Sequence, residues 1–324
     1  MTKLLPGTAS WTDKPLIEGG RFYPPEAKSA EARLRYYATQ FPLVEIDAPY
    51  YGLPTVAQAE RWVERTPPEF TFDVKAYSLF TEHPTPVARL PKAIQAELPP
   101  DLRLKRQFYR RDAPSDLVDL CWATYLDALL PLHDAGKLGV IVLQFPRWVT
   151  PNRRTHAYLE EVRERLGHYR GAVEFRNHRW LDAEHREATL ALLGDLELAF
   201  ICVDEPQGFD SSVPPVAAAT TELAFVRFHG RNAAMWEAST RTSSERFDYY
   251  YDPAELDEWT PRIRSLAEEA SEVHLVVNTN NFDQGPVNAR LLSERLAEVG
   301  LDTTPGFDPA LAEPPAPSGQ GRLL

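Results

Sequence analysis

Short runs of large apolar residues, closed by polar side chains, recur along the whole chain and alternate with stretches of helical spacing. The runs predict eight β-strands, over Leu4–Thr8, Leu43–Asp47, Phe70–Lys75, Val140–Phe145, Ala172–Arg176, Ala199–Asp204, Leu223–His229 and Val273–Asn278. Between them, apolar residues three and four apart predict helices over Ala27–Gln40, Val56–Arg65, Ser115–Ala135, Thr155–Leu166, Asp182–Leu193, Asp252–Glu269 and Val287–Val299. Ser115, Asp182 and Asp252-Pro253 read as helix starts. Alternation of this kind favours a mainly parallel sheet, and eight strands in about 300 residues fit a (β/α)8 TIM-type barrel. No glycine-rich phosphate loop follows the first strand, which removes the usual signature of a nucleotide-binding open sheet.

Five of the runs end in two polar side chains spaced i, i+2: Glu45/Asp47, Asp73/Lys75, Glu174/Arg176, Arg227/His229 and Asn278/Asn280. Side chains alternate across a strand, so both members of a pair face the same side. A charge facing inward is costly unless paired, and repeating that cost on several strands predicts one shared polar chamber at the C-terminal mouth of the barrel. Trp11 after the first strand, Tyr50 after the second, Gln144 on the fourth, Asp204 closing the sixth and Asn281 after the eighth extend the set.

Two stretches break the rhythm. Residues 76–114, between the third strand and its helix, are longer than an ordinary βα loop, rich in proline, and carry Arg103, Lys105, Arg106, Arg110 and Arg111. They read either as a lid over the active face or as a solvated surface excursion. Residues 303–324 are rich in Pro, Gly and Ala and predict a disordered tail after a barrel spanning 1–302.

Composition narrows the partners. A net charge of −12 disfavours nucleic acid and anionic membranes, leaving only the Arg103–Arg111 run as a place where nucleic acid or an acidic protein would dock. No apolar run has the length of a membrane span, and the opening residues do not resemble a secretory signal. Cys121 and Cys202 stand alone, so a reducing, cytoplasmic setting is expected.

The leading expectation is acid–base chemistry (hydrolase, isomerase or lyase type) on a small polar anion, without an organic cofactor or metal. Glu174 is the expected acid or base and His229 the proton shuttle. Arg176 and Arg227 are expected to clamp the anion, Lys75 to act as electrostatic partner, and Asn280 and Asn281 to orient the substrate. Glu45, Asp204, Gln144, Tyr50 and Trp11 complete the expected binding set. The alternative is a divalent-metal enzyme using Glu45, Glu174, Asp204 and His229. Against it stand the absence of paired-histidine motifs and the cations that would compete for the carboxylates.

Ordered motifs add a resemblance. Gly7-Thr8-Ala9-Ser10-Trp11, Phe22-Tyr23-Pro24, Val44-Glu45-Ile46-Asp47 with Tyr50-Tyr51, and Phe72 through Lys75 are similar to the YecE-like family, domain of unknown function 72. Leu143-Gln144-Phe145-Pro146, Val173-Glu174-Phe175-Arg176-Asn177 with Trp180, Val226-Arg227-Phe228-His229-Gly230-Arg231, and Asn280-Asn281 continue it to about residue 296. The resemblance implies a TIM-type barrel and brings no established reaction. Asp47, where the family commonly has Asn, and Gly52, where an Arg often follows the paired aromatics, depart from the pattern.

Overall fold

The computed structural model describes residues 2–239 and 243–307. Eight parallel strands close into a barrel: β1 (Lys3–Ala9), β2 (Leu43–Ile46), β3 (Thr71–Lys75), β4 (Leu138–Phe145), β5 (Gly171–Phe175), β6 (Leu198–Asp204), β7 (Leu223–Phe228) and β8 (Glu272–Val277). Each strand pairs with the next in sequence, and β8 returns to β1. Both faces of these strands are covered, which is why they read as nearly continuous apolar runs. Every expected strand is present, with ends shifted by a residue or two.

The outer layer is formed by α1 (Ala30–Ala38), α2 (Val56–Glu64), α3 (Ser115–Asp134), α4 (Arg153–Leu166), α5 (Arg186–Asp195), α6 (Thr260–Glu269) and α7 (Gln284–Glu298). Side chains fix several starts: Ser29 accepts from Ala32 N, Thr55 and Gln58 form a capping box, and Asn152 accepts from Thr155 N. Ser115 begins its helix but does not cap it. The expected helix over Asp252–Glu269 is interrupted, a short turn over Pro253–Asp257 preceding α6. Between β6 and β7 the chain covers the barrel without a helix. There Val216–Ala219 pack on the core, and Thr220 Oγ1 bridges Phe200 N and Leu198 O of β6.

The insertion is a packed unit, not a solvated excursion. It holds a small antiparallel pair (Thr85–Pro86 with Gln107–Phe108) and buries Leu79, Phe80, Leu90, Ile94, Leu98, Leu102 and Phe108. Phe80 stacks on Trp122 of α3 with ring centroids 3.8 Å apart. Two of its basic residues are engaged within the chain: Arg103 donates to the carbonyls of Ala96 and Leu98, and Arg110 pairs with Glu82 and Glu161 over the Tyr158 ring.

The start of the expected tail is also docked. Thr304 N donates to Leu4 O, Phe307 N to Ala38 O, and the Phe307 ring lies against Phe70. The remainder of that expectation, residues 308–324, falls outside the described residues.

Candidate functional site

Two levels of inward side chains occupy the C-terminal half of the barrel. The lower is centred on Arg227, a wholly buried guanidinium on β7. Its Nη1 lies 3.0 Å from Glu174 Oε2 and its Nη2 2.6 Å from Glu45 Oε1, joining β7 to β5 and β2 across the lumen. Two residues further along each strand, the upper level begins. Arg176 pairs with Glu174 through Nε, with Glu205 through Nη1 at 3.0 Å, and reaches His229 Nε2 through Nη2 at 2.9 Å. His229 is 3.2 Å from Glu174 Oε1 on one side, while Asn278 Nδ2 sits 2.9 Å from its Nδ1 on the other. Glu174, Arg227 and His229 thus meet in one network, as the i, i+2 pattern predicts.

Above the network opens a chamber of about 420 Å³. Asp47, Lys75, Gln144, Arg176, Asn278 and Asn280 line it from the strand ends; Tyr50, Tyr51, Trp148, Trp236 and Phe247 supply aromatic walls. Lys75 Nζ lies 3.2 Å from Asp47 Oδ1 and 5.5 Å from the centre of the Tyr50 ring. His83, brought in by the insertion, meets Tyr50 and Trp148 edge-on. Of the residues singled out from the sequence, Asp47, Tyr50, Lys75, Gln144, Arg176, Asn278 and Asn280 face this space.

The others lie elsewhere, for definite reasons. Glu45, Glu174, Arg227 and His229 form the buried floor and do not line the chamber, so Arg227 is not placed to clamp a ligand. Asp204 points the opposite way. Val203 is the register neighbour of inward Arg227, which turns Asp204 outward beneath α6. There it takes Arg231, Tyr251 Oη at 2.6 Å and Trp259 Nε1 at 2.6 Å. Trp11 is buried with its carbonyl bound by Tyr23 Oη, and the Asn281 carbonyl accepts from Gln284 N at the start of α7. Asp73 sits inward but deeper, paired with His274 Nδ1 at 2.8 Å. The ligand set of the metal alternative is therefore not assembled: Asp204 is turned away, and arginines hold Glu45 and Glu174. Among the described residues no three metal-binding side chains converge.

The electrostatics separate the carboxyl groups. Burial opposes the charge on Glu174, but Arg176, Arg227 and His229 outweigh it and hold the carboxyl well below its ordinary range. It is therefore a locked carboxylate and a weak base. Burial, helped by Arg176, pushes His229 down to about 3 against the pull of Glu174, so the ring is neutral. Asn278 Nδ2 faces Nδ1, while Nε2 lies between a donor, Arg176 Nη2 at 2.9 Å, and an acceptor, Glu174 Oε1 at 3.2 Å. Burial lifts Glu45, Arg227 pulls it back, and Asp47 adds to the rise, leaving it at about 8. Asp47, against the effect of burial, is held low by Lys75 and then Arg227. Glu45 Oε2 is buried without a hydrogen-bond partner, whereas Asp47 Oδ1 is faced by Lys75 Nζ at 3.2 Å and Arg227 Nη2 at 4.0 Å. A proton kept on Glu45 while Asp47 stays ionised accounts for the opposite directions of the two shifts.

Sequence reasoning missed His83, Arg147, Glu237, Arg246 and Ser211 as chamber residues. They lie on the insertion and on long βα loops, where neither periodicity nor motif marks them. Asp47 was visible as half of a polar pair, and Trp148 as an aromatic near the mouth.

Known proteins support the architecture. UPF0759 protein YunF of Bacillus subtilis (strain 168) is 29% identical over 294 residues, covering 90% of this chain and 93% of that protein. The crystal structure of a DUF72 family protein from Enterococcus faecalis V583 superposes with a TM-score of 0.71 at 25% identity, covering 92% of this chain and 96% of that one. Another, from Thermotoga maritima MSB8, gives 0.70 at 26% identity, covering 91% and 99%. The family model described as "Protein of unknown function DUF72" matches residues 5–311, and the chain belongs to that family.

Proposed function

We propose that the protein is an enzyme carrying out acid–base chemistry, of hydrolase, isomerase or lyase type, on a small polar anion held in the chamber. The observation that carries this reading is Asp47. It faces the chamber with its side chain 27% exposed, is ion-paired with Lys75, and is backed by buried Glu45 with a proton to share. Two carboxyl groups whose environments push their pKa values apart are the usual basis for proton exchange with a ligand. Asp47 is the group that touches the ligand, Glu45 its proton reservoir, and Lys75 the cation that keeps Asp47 ionised. Glu174 and His229 act as positioning residues that fix Arg176. A chamber of about 420 Å³ suits a metabolite-sized ligand, within the usual roughly 300–1,000 Å³.

The reading calls on no cofactor. A cytoplasmic setting belongs to the proposal and is supported by Cys121 and Cys202, both buried and free. Among the described residues no helix is long and apolar enough to cross a membrane.

The experiment is to incubate the purified protein in D₂O with pools of small anionic metabolites and follow conversion or deuterium incorporation by NMR. The expected result is turnover that falls by ~10²-fold or more in Asp47→Asn, the usual scale for a general acid or base. Turnover that persists undiminished in that variant would remove Asp47 from the chemistry.

A further inference from the structure

Three guanidinium groups reach the chamber from three separate segments: Arg147 beyond β4, Arg176 beyond β5, and Arg246 from the loop between β7 and β8. Their counter-charges are unevenly shared. Arg176 is held by Glu174 and Glu205. Arg147, with its side chain 62% exposed, lies 3.8 Å from Glu237. The same Glu237 accepts from Ser211 Oγ and is the carboxylate whose charge supports Arg246. Arg246 donates to the Ala238 carbonyl at 3.4 Å, and its buried Nε has no acceptor. Among the described contacts, one carboxylate, Glu237, lies beside both Arg147 and Arg246. Burial, then Arg176 and Arg147, hold Arg246 below its ordinary pKa, the mark of like charges kept in company. Elsewhere on the chamber wall, Asn280 Oδ1 is buried without a donor. A ligand that satisfies the whole chamber brings an anion to the arginines and a hydroxyl or amine to Asn280.

We propose that Arg147, Arg176 and Arg246 form a subsite for a phosphate group, so that the substrate class is a small organic phosphate bearing hydrogen-bond donors. This rests on the reading of the chamber as an anion site. Phosphate is favoured over carboxylate because its oxygens are tetrahedrally arrayed and accept from guanidinium groups arriving from three directions. A carboxylate offers two oxygens in one plane. The Arg147–Glu237 pair, long and largely exposed, is weak enough for Arg147 to turn to a ligand.

Calorimetric titration of the full chain with inorganic phosphate, glycerol phosphate and malonate tests the assignment. Phosphate and glycerol phosphate should bind, more weakly as salt rises, and lose ~10-fold or more in affinity in Arg246→Gln and in Arg147→Gln, as expected for a charge-assisted hydrogen bond. Arg246→Lys should restore part of the loss. Malonate binding without phosphate binding would overturn the phosphate class and leave the anion reading standing. Phosphate binding unchanged in both glutamine variants would overturn the subsite. If none of the three anions binds, both readings fall. Should Arg246→Gln lose its cooperative melt, Arg147→Gln, altered at an exposed side chain, decides alone.

Discussion

His229 and His274 are both wholly buried inside the same barrel, yet one ring is neutral and the other protonated. His229, at the mouth, faces Arg176 as well as Glu174, and burial with the arginine brings it down to about 3. His274, near the bottom, faces Asp73 at 2.8 Å and Glu272 at 3.2 Å; these outweigh burial and raise it to about 9. Gly139 leaves room for the lower pair, since a Cβ there would run into Asp73 Oδ1 and the His274 ring. The contrast teaches that burial alone does not set charge in this barrel. The lower pair is wholly buried, whereas the upper network holds a neutral ring between fixed charges and borders a chamber.

The largest expected effect comes from breaking the network beneath the chamber at Arg227, which joins Glu45 and Glu174. Arg227→Met should destabilise the protein by about 3–5 kcal/mol, because the Glu174 carboxylate loses a buried cation and Glu45 a charged hydrogen-bond donor. Urea unfolding measures this. A loss under ~1 kcal/mol would show that Glu174 is not held charged by Arg227.

The lower pair should announce itself through pH. His274 has a folded pKa raised from 6.5 to about 9, so its stabilisation is complete below about 6.5 and is lost as pH rises through about 9. The amount is on the order of 3 kcal/mol, from the size of the shift. His229 has the opposite sign. Its folded pKa is depressed, so stability is lost as pH falls from about 6.5 towards 3. His274→Gln should flatten the alkaline limb of the stability profile and spare the acid limb. An alkaline limb unchanged in that variant would place the titration elsewhere.

The same two levels show how far the sequence can be read. All eight strands were legible because parallel strands buried on both faces are apolar throughout. The i, i+2 pairs were legible because strand parity is local. Depth is not local: Asp73 is the register neighbour of Glu45 but pairs with His274, because strand tilt and stagger carry it down the lumen. Asp204 failed by parity, standing one residue beyond inward Val203. Arg246 and His83 failed for a third reason, since irregular loops place them and no period of the chain records where such loops return.

Asp204 supplies a control for the comparison, being a buried carboxylate outside both lumen networks. Asp204→Asn should cost about 1.5–3 kcal/mol through its bonds to Arg231, Tyr251 and Trp259. Phosphate affinity should stay within ~2-fold of the unaltered protein, less than the tenfold that 1.4 kcal/mol represents. A loss of phosphate binding equal to that of Arg246→Gln would mean that the outward network shapes the chamber through the His229 backbone, whose N–H donates to Asp204 O at 2.8 Å.

The smallest effect on stability, and the sharpest on the chemistry of the mouth, is expected from Lys75→Met. Among the described residues Lys75 makes one ion pair, with Asp47 at the chamber wall, their side chains 14% and 27% exposed, and its loss should cost roughly 1 kcal/mol, the upper end for a pair in contact with solvent. Its removal should nevertheless change how the proton divides between Glu45 and Asp47. Asp47 is held below its ordinary pKa first by Lys75 and then by Arg227, whose Nη2 is 4.0 Å away. Without Lys75 the Asp47 value rises while that of Glu45, set chiefly by burial, stays high, and the gap separating the two carboxyl groups narrows. Carboxyl ¹³C NMR titration of selectively labelled protein reads both groups directly. The expected pattern is one carboxyl titrating near 8 that disappears in Glu45→Gln, and a second whose low pKa moves up in Lys75→Met. If neither group moves in Lys75→Met, the cation at the mouth does not tune the dyad, and the contrast between a working upper level and a sealed lower one loses its chemical basis.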